Sequence, residues 1–309
     1  MILVHCSRTE VGQNWANALK KEFGDAQVVL SSDHFDKNEI DIAICWKAPN
    51  RMLHDFPNLK LIQSLGAGVD HIFDTDNAIP SAVISRIIDP QLSEDMYEFV
   101  LACILNDMKQ LTHYRDQQNL NAWSVKPYRT ISEVTVSVLG LGVIGTLVST
   151  KLSALGFKVM GWSKSEKSIQ NVQSFVGETG LDKMLGMTDY LVNILPLTDD
   201  TRSFINHSLL SKLKKGAYLI NVGRGPHLVD NDLLQALEEE LISGAALDVF
   251  HNEPLEKTNP FWSHPKVVLT PHVASITNIE TARAQVFENI RRFQSGRPVL
   301  NQVSHSKAY

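Results

Sequence analysis

The stretch VTVSVLGLGVIGTLVSTKLSALG, Val134–Gly156, decides the fold. An apolar run leads in, three glycines follow at G-x-G-x-x-G spacing, and a helical pattern leads out. Strand, glycine turn and helix in that order are the fingerprint of a dinucleotide-binding βαβ unit. Gly140 permits the tight turn, Gly142 lets the backbone approach a pyrophosphate, and Gly145 lets helix and strand pack closely. Val143 and Ile144 open the helix, whose N-terminus offers free N–H groups and a positive dipole end to phosphate.

Working outward, further apolar runs read as buried strands: Lys158–Trp162, Tyr190–Ile194, Ala217–Val222, Ala245–Val249 and Val267–Thr270. Helical patterns such as Leu147–Leu155 and Asp230–Glu240 separate most of them. With Val134–Leu139 they make six strands, which predicts a doubly wound sheet. Upstream, the runs Ile2–Cys6, Gln27–Leu30, Ile42–Trp46, Leu59–Leu65 and Ala82–Ile84 alternate with helical patterns such as Val11–Phe23. This predicts a second parallel sheet with covering helices. One long helix is expected over Leu92–Asp116. A looser excursion then spans Gln117–Ser132, either a surface connection between domains or an arm toward a partner subunit. After a final helix over Asn278–Phe293, the tail is expected to return to the first domain.

The identity of the cofactor turns on the second strand of the glycine unit. An acidic residue roughly 20 residues beyond the glycines would hold the ribose 2′-OH of NAD. Here Trp162-Ser163-Lys164-Ser165 ends that strand, and Glu166 follows. Two hydroxyls and a cation suit a 2′-phosphate, which a carboxylate would repel. NADP(H) is therefore favoured, with NAD(H) the alternative.

Three polar residues then follow successive strands: Arg224 in Asn-Val-Gly-Arg-Gly-Pro, Glu253 in His-Asn-Glu-Pro, and His272 in Thr-Pro-His-Val-Ala. In an open α/β sheet, the carboxyl ends of the strands form the ligand crevice. Reduction of a ketone needs a hydride for carbon and a proton for oxygen. Histidine suits the proton without a large shift in its acidity. A neighbouring carboxylate favours the imidazolium and orients the ring, which is the role expected of Glu253. A guanidinium grips a carboxylate in two places and polarises the adjoining carbonyl, the role expected of Arg224. Singly, each residue is ordinary; in this order beyond a glycine loop, they indicate hydride transfer.

On these motifs the chain resembles the D-isomer-specific 2-hydroxyacid dehydrogenases, and within them the glyoxylate/hydroxypyruvate reductases. Further motifs of the resemblance are Leu65-Gly-Ala-Gly-Val-Asp70, Asn193-Ile-Leu-Pro-Leu-Thr198, Asn221-Val-Gly-Arg-Gly225 and Ala246-Leu-Asp-Val-Phe250. The resemblance makes Arg224, Glu253 and His272 the counterparts of the family's Arg/Glu/His triad. It implies an α/β protein of two doubly wound parallel-sheet domains. A Rossmann cofactor domain, 101–274, is inserted in a flavodoxin-like substrate-binding domain made of 1–100 and 275–309. It also implies a homodimer, and puts Asp248 near the nicotinamide carboxamide; a structural carboxylate accepting backbone N–H bonds is the alternative for that residue. Leu195 and Pro196, with Val222 and Gly223, are expected to line the cofactor cleft.

On the substrate side, Ala67 and Gly68 lie in a small-residue loop whose backbone N–H groups can approach an anion, here the substrate carboxylate beside Arg224 and His272. Trp46 and Trp262 are either pocket walls or core aromatics. The leading expectation is reduction of a short 2-keto acid of the glyoxylate or hydroxypyruvate type. Reduction of a bulkier keto acid, or sensing of NAD(H) by a binding protein on the same fold, are the alternatives.

Bulk properties agree. The 309 residues suffice for two domains, and 29 Lys+Arg against 34 Asp+Glu give a net charge of -5. That balance offers nothing for nucleic acid. No run is long enough to span a bilayer, and the N-terminus lacks the basic leader of a signal peptide. Cys6, Cys45 and Cys103 lack metal or redox spacing and are expected to pack as small hydrophobes in a reducing cytoplasm. The histidines other than His272, His227 and His305 among them, show no metal-ligand spacing, so no metal is expected.

Overall fold

Both sheets are parallel throughout, as apolar runs joined by crossover helices require. The computed structural model describes residues 1–49, 51–73 and 81–304; His305 lies outside the described residues. Two units are distinguished: Met1–Leu92 with the segment from Thr277 onward, and Ser93–Ile276.

The first unit contains β1 (Ile2–Cys6), α1 (Thr9–Phe23), β2 (Val28–Leu30), β3 (Ile42–Trp46), β4 (Leu61–Ser64), α2 (Asp70–Phe73) and β5 (Val83–Ser85). Its strand order β2-β1-β3-β4-β5 is the flavodoxin order. Leu3, Ile42, Ala43, Ile44, Leu61 and Ile62 are wholly buried, because helices and loops cover both sheet faces.

The chain then runs through α3 (Pro90–Met108) into the second unit. That unit holds α4 (Leu111–Asn119), β6 (Thr135–Leu139), α5 (Val143–Ala154), β7 (Lys158–Trp162), β8 (Val172–Phe175), α6 (Gly177–Leu185) and β9 (Tyr190–Asn193). It continues with α7 (His207–Ser211), β10 (Ala217–Asn221), α8 (Asp230–Glu238), β11 (Ile242–Leu247) and β12 (Val267–Leu269). The order β12-β11-β10-β9-β6-β7-β8 is the Rossmann arrangement with one strand added at an edge. Last comes α9 (Ile279–Gln294), which belongs to the first unit. Its buried Asn289 donates to Gln63 Oε1 at 2.8 Å and to Ser85 Oγ at 2.9 Å, tying the end of the chain to β4 and β5.

Two expectations need correction. The second sheet has seven strands, because β8 was missed: its Val-Gln-Ser-Phe sequence lies at the edge, only Phe175 is buried, and no apolar run marks it. The single long helix is two, since Gln110 adopts a left-handed φ of 58° between α3 and α4. No residue of α4 is buried, so packing does nothing to keep the two collinear. The excursion that follows starts and ends in the second unit, with Trp123 97% exposed. Of the cysteines, Cys45 is buried and Cys6 and Cys103 partly so; burial pushes the Cys45 and Cys103 thiols up to about 12, as for small hydrophobes.

Asp189 anchors the end of the excursion. Burial opposes its ionisation, but hydrogen bonds from Arg129, Lys214 and the Thr135 N–H outweigh that and hold its carboxyl down at about 2. A carboxyl so depressed stabilises the fold above its ordinary value near 3.8 and loses that contribution as pH falls toward 2. Arg129 and Lys214 are half exposed and screened, so Asp189→Asn is expected to cost about 1–2 kcal/mol in urea unfolding at neutral pH. The deficit should shrink below pH 4; a pH-independent deficit would contradict the pairing.

Candidate active site

One row of register partners crosses six strands: Trp162 pairs with Leu139, Leu139 with Asn193, Asn193 with Asn221, Asn221 with Leu247, and Leu247 with Leu269. Apart from Trp162, which ends β7 in the row itself, the candidate residues of this unit lie in the loops that leave this row or in the helix that follows one of them. In sheet order these are Ser163-Lys164-Ser165, the glycine loop, Leu195-Pro196, Val222-Gly223-Arg224, Asp248 with Glu253, and His272. The sheet's switch point, where β6 is flanked by β7 and β9, lies inside that row.

The glycine loop has the geometry its spacing predicts. Gly140 turns with a φ of 100°, and a Cβ on Gly145 would sit 1.8 Å from the Gly140 carbonyl oxygen. Helix α5 thus packs directly on the end of β6. Gly142 caps α5 without a side-chain hydrogen bond, and a Cβ there would meet nothing within 4 Å. The first-turn N–H groups of α5 are therefore approachable, with Val143 52% exposed and Ile144 partly buried beside them.

At the end of β7, Trp162 stacks on Phe204 with centroids 5.4 Å apart and donates its indole N–H to Gly177 O at 2.9 Å. Ser163 Oγ donates to Ser165 O at 2.7 Å. Lys164 pairs with Asp200 at 2.7 Å on the surface, and this contact holds the Asp200 carboxyl below its ordinary range. Nothing in the sequence reading singled out Asp200; its nearness arises from the loop after β9.

His272 and Glu253 meet directly, with Nδ1 2.8 Å from Oε2 and both side chains about one-fifth exposed. The other Glu253 oxygen accepts from Phe250 N–H at 3.1 Å, which fixes the carboxylate plane. His272 has a φ of 56°, an uncommon conformation for a residue with a Cβ. Asp248 stabilises it: its carboxylate accepts from Thr270 Oγ1 at 2.6 Å and from the N–H groups of Val273 and Ala274, each at 2.9 Å. The backbone adds a bond from His272 N–H to Asp248 O at 2.8 Å. Of the two roles open for Asp248, these bonds are those of the structural carboxylate.

Arg224 is partly buried and donates from Nη1 to Gly223 O at 2.8 Å. The next residue brings its loop against that of Glu253: a Cβ on Gly225 would lie 1.9 Å from the Phe250 carbonyl carbon. Beneath Arg224 lies a polar cluster of Asn193, Asn221 and His227, all wholly buried. The sequence motifs assign these three no role, although asparagine at the ends of two otherwise apolar strands is a usable signal.

In the first unit, the loop after β4 is held by Ser64, whose Oγ donates to Gly68 O at 2.8 Å and accepts from Gly66 N–H at 3.2 Å. Trp46 lies over Gly66 and meets His71 edge to face at 4.8 Å. It packs against the core of that unit, with Ala67 and Gly68 partly exposed nearby. Trp262 of the second unit is 58% exposed and donates to Glu256 O at 2.9 Å, so it is no core aromatic. Among the described residues, no group of three His, Cys, Asp or Glu is placed to hold a metal ion, and no helix is long and apolar enough to cross a membrane.

Known proteins share this architecture. Residues 101–274 match the family model described as D-isomer specific 2-hydroxyacid dehydrogenase, NAD binding domain. Glyoxylate/hydroxypyruvate reductase A of Yersinia enterocolitica is 38% identical over 279 residues, 89% of each chain. A D-isomer specific 2-hydroxyacid dehydrogenase of Xanthobacter autotrophicus Py2, solved with NADPH and MES, superposes with a TM-score of 0.91 at 38% identity, covering 100% of this chain and 99% of that one. The NADPH-dependent glyoxylate/hydroxypyruvate reductase of Sinorhizobium meliloti, solved with NADP and sulfate, gives 0.90 at 34% identity with the same coverage. With a family model spanning more than half its length and relatives above 30% identity along most of it, the chain belongs to the D-isomer specific 2-hydroxyacid dehydrogenases, a family of NAD(P)-dependent oxidoreductases.

Proposed function

We propose that this enzyme reduces a short 2-keto acid of the glyoxylate or hydroxypyruvate type to the D-2-hydroxy acid, with NADP(H) as its cofactor and His272 as its proton donor. The carrying observation is the 2.8 Å contact between His272 Nδ1 and Glu253 Oε2, in loops that leave the same strand row as the glycine loop. A carboxylate only accepts, so Nδ1 carries a proton and Nε2 is left for the substrate.

The open approach to α5 at Gly142 fits a pyrophosphate, and Val143, Ile144, Leu195, Pro196, Val222 and Gly223 are assigned to the lining of the cofactor cleft. Bound NADP(H) supplies the hydride. Ser163, Lys164 and Ser165 are assigned to its 2′-phosphate; the Lys164–Asp200 pair is exposed and weak, so a phosphate can displace Asp200. Two of the solved relatives hold NADPH or NADP, which supports this choice.

Arg224 is assigned to the substrate carboxylate. His272 Nε2 gives its proton to the carbonyl oxygen as carbon is reduced, and Glu253 stabilises the imidazolium before transfer. The reading extends to a homodimer, supported by the exposed Trp123 and Val125, and to a cytoplasmic setting, suited by three free cysteines.

With glyoxylate and NADPH, His272→Ala should lower kcat roughly 10²–10⁴-fold while the NADPH Kd stays within about twofold. Glu253→Gln should lower kcat, since the imidazolium loses its counter-charge. Unchanged kcat in either variant would refute the role assigned to that residue. In steady-state assays, kcat/KM should be higher with NADPH than with NADH, and Lys164→Ala should narrow the ratio. A preference for NADH would sink the cofactor assignment, and no turnover of either cofactor with any short keto acid would sink the enzymatic reading.

A further inference from the structure

A second histidine, in the loop that carries Arg224, is buried and has a different task. His227 follows Arg224 by three residues and is wholly buried. Its Nδ1 is 2.9 Å from Asn193 Nδ2 and 3.2 Å from the Arg224 backbone N–H. Its Nε2 is 3.2 Å from the carbonyl oxygen of Pro196.

Backbone groups decide the direction of these bonds. The Arg224 N–H can only donate, so Nδ1 must accept. The Pro196 carbonyl can only accept, so Nε2 must carry the proton. The asparagines follow in the same sense. Leu195 N–H donates to Asn193 Oδ1 at 3.2 Å, which leaves the Asn193 amide to donate to His227 and to Asn221 Oδ1 at 2.9 Å. Asn221 Oδ1 also accepts from Gly223 N–H at 3.3 Å, and Asn221 Nδ2 donates to Arg224 O at 3.3 Å. The network therefore has one consistent assignment. A protonated ring would turn Nδ1–H against two donors, so His227 cannot act as an acid without breaking it.

We propose that His227 is a positioning residue which, as the neutral Nε2–H tautomer, locks Arg224 and the Leu195-Pro196 cofactor wall into one arrangement. The proposal rests on reading Arg224 as the grip on the substrate carboxylate. Its two nitrogens serve two loops: Nδ1 orients the backbone that carries Arg224, and Nε2 holds the segment that faces the cofactor. A residue that merely filled core volume would couple neither. Asn193 and Asn221, register partners on β9 and β10, carry the same network into the sheet.

Two substitutions separate the nitrogens. In His227→Asn, the side-chain oxygen replaces the Nδ1 acceptor and the donor to Pro196 is lost. In His227→Gln, the amide replaces the Nε2 donor and the acceptor for Arg224 N–H is lost. With glyoxylate and NADPH, His227→Asn is expected to raise the NADPH Kd about 5- to 10-fold with the glyoxylate KM within about twofold. His227→Gln is expected to do the reverse, raising the glyoxylate KM about tenfold with the NADPH Kd nearly unchanged. Parallel changes in both parameters, or no change in either, would overturn the proposal. Arg224→Ala is the control. If it leaves the glyoxylate KM unaltered, the reading of Arg224 fails and takes the proposal with it; if it raises KM while His227→Gln does not, only the role of His227 fails. Imidazole ¹⁵N resonances of the wild-type enzyme with NADP⁺ give a readout that needs no variant. His227, assigned through its backbone signals, should show Nε2–H and no titration between pH 5.5 and 8.5; an Nδ1–H or titrating ring would overturn the assignment.

Discussion

Parallel pairing decides which loops of this chain can meet. Trp162, Leu139, Asn193, Asn221, Leu247 and Leu269 are successive register partners, so the segments after them leave the sheet side by side. Residues scattered over more than a hundred positions thereby share one edge of the sheet. A slip of one strand would turn its side chains to the opposite face and separate the set. The close contact of Gly145 with the Gly140 carbonyl plays the same part for α5, bringing its N-terminus to that edge.

Local forces then set each loop. His272 occupies a conformation that few residues with a Cβ adopt, and the Asp248 carboxylate holds it there through one hydroxyl and two backbone N–H groups. Such strain persists only where the surroundings over-determine it. Glu253 is likewise fixed at both oxygens, by Phe250 N–H and by His272. Arg224 stands over buried polar residues whose donors and acceptors match. Satisfied networks of this kind are rigid, and rigidity at the carboxyl edge is what a hydride and a proton delivered to neighbouring atoms demand.

Much of this was legible in the residues. The glycine spacing, the apolar runs and the ordered Arg224, Glu253 and His272 carried the fold and the family. Strand β8 was not legible because an edge strand with one buried residue lacks an apolar run. The break after Met108 was hidden because Gln110 has no strong turn signature, yet its φ is positive. Asp248 remained open between two roles because a carboxylate's partners are set by a loop 22 or more residues further on. His227 was not legible because it shows no metal-ligand spacing and two of its partners, Asn193 and Pro196, come from the end of another strand, β9, which no local motif records.

The most direct measurement of the central claim is a crystal structure of the enzyme with NADP⁺ and oxamate, an unreactive mimic of a 2-keto acid. The pyrophosphate should lie at the N-terminus of α5, the oxamate carboxylate on Arg224, and His272 Nε2 within hydrogen-bond reach of the oxamate carbonyl oxygen. A complex in which that oxygen is held by another group, with His272 turned away, would contradict that claim.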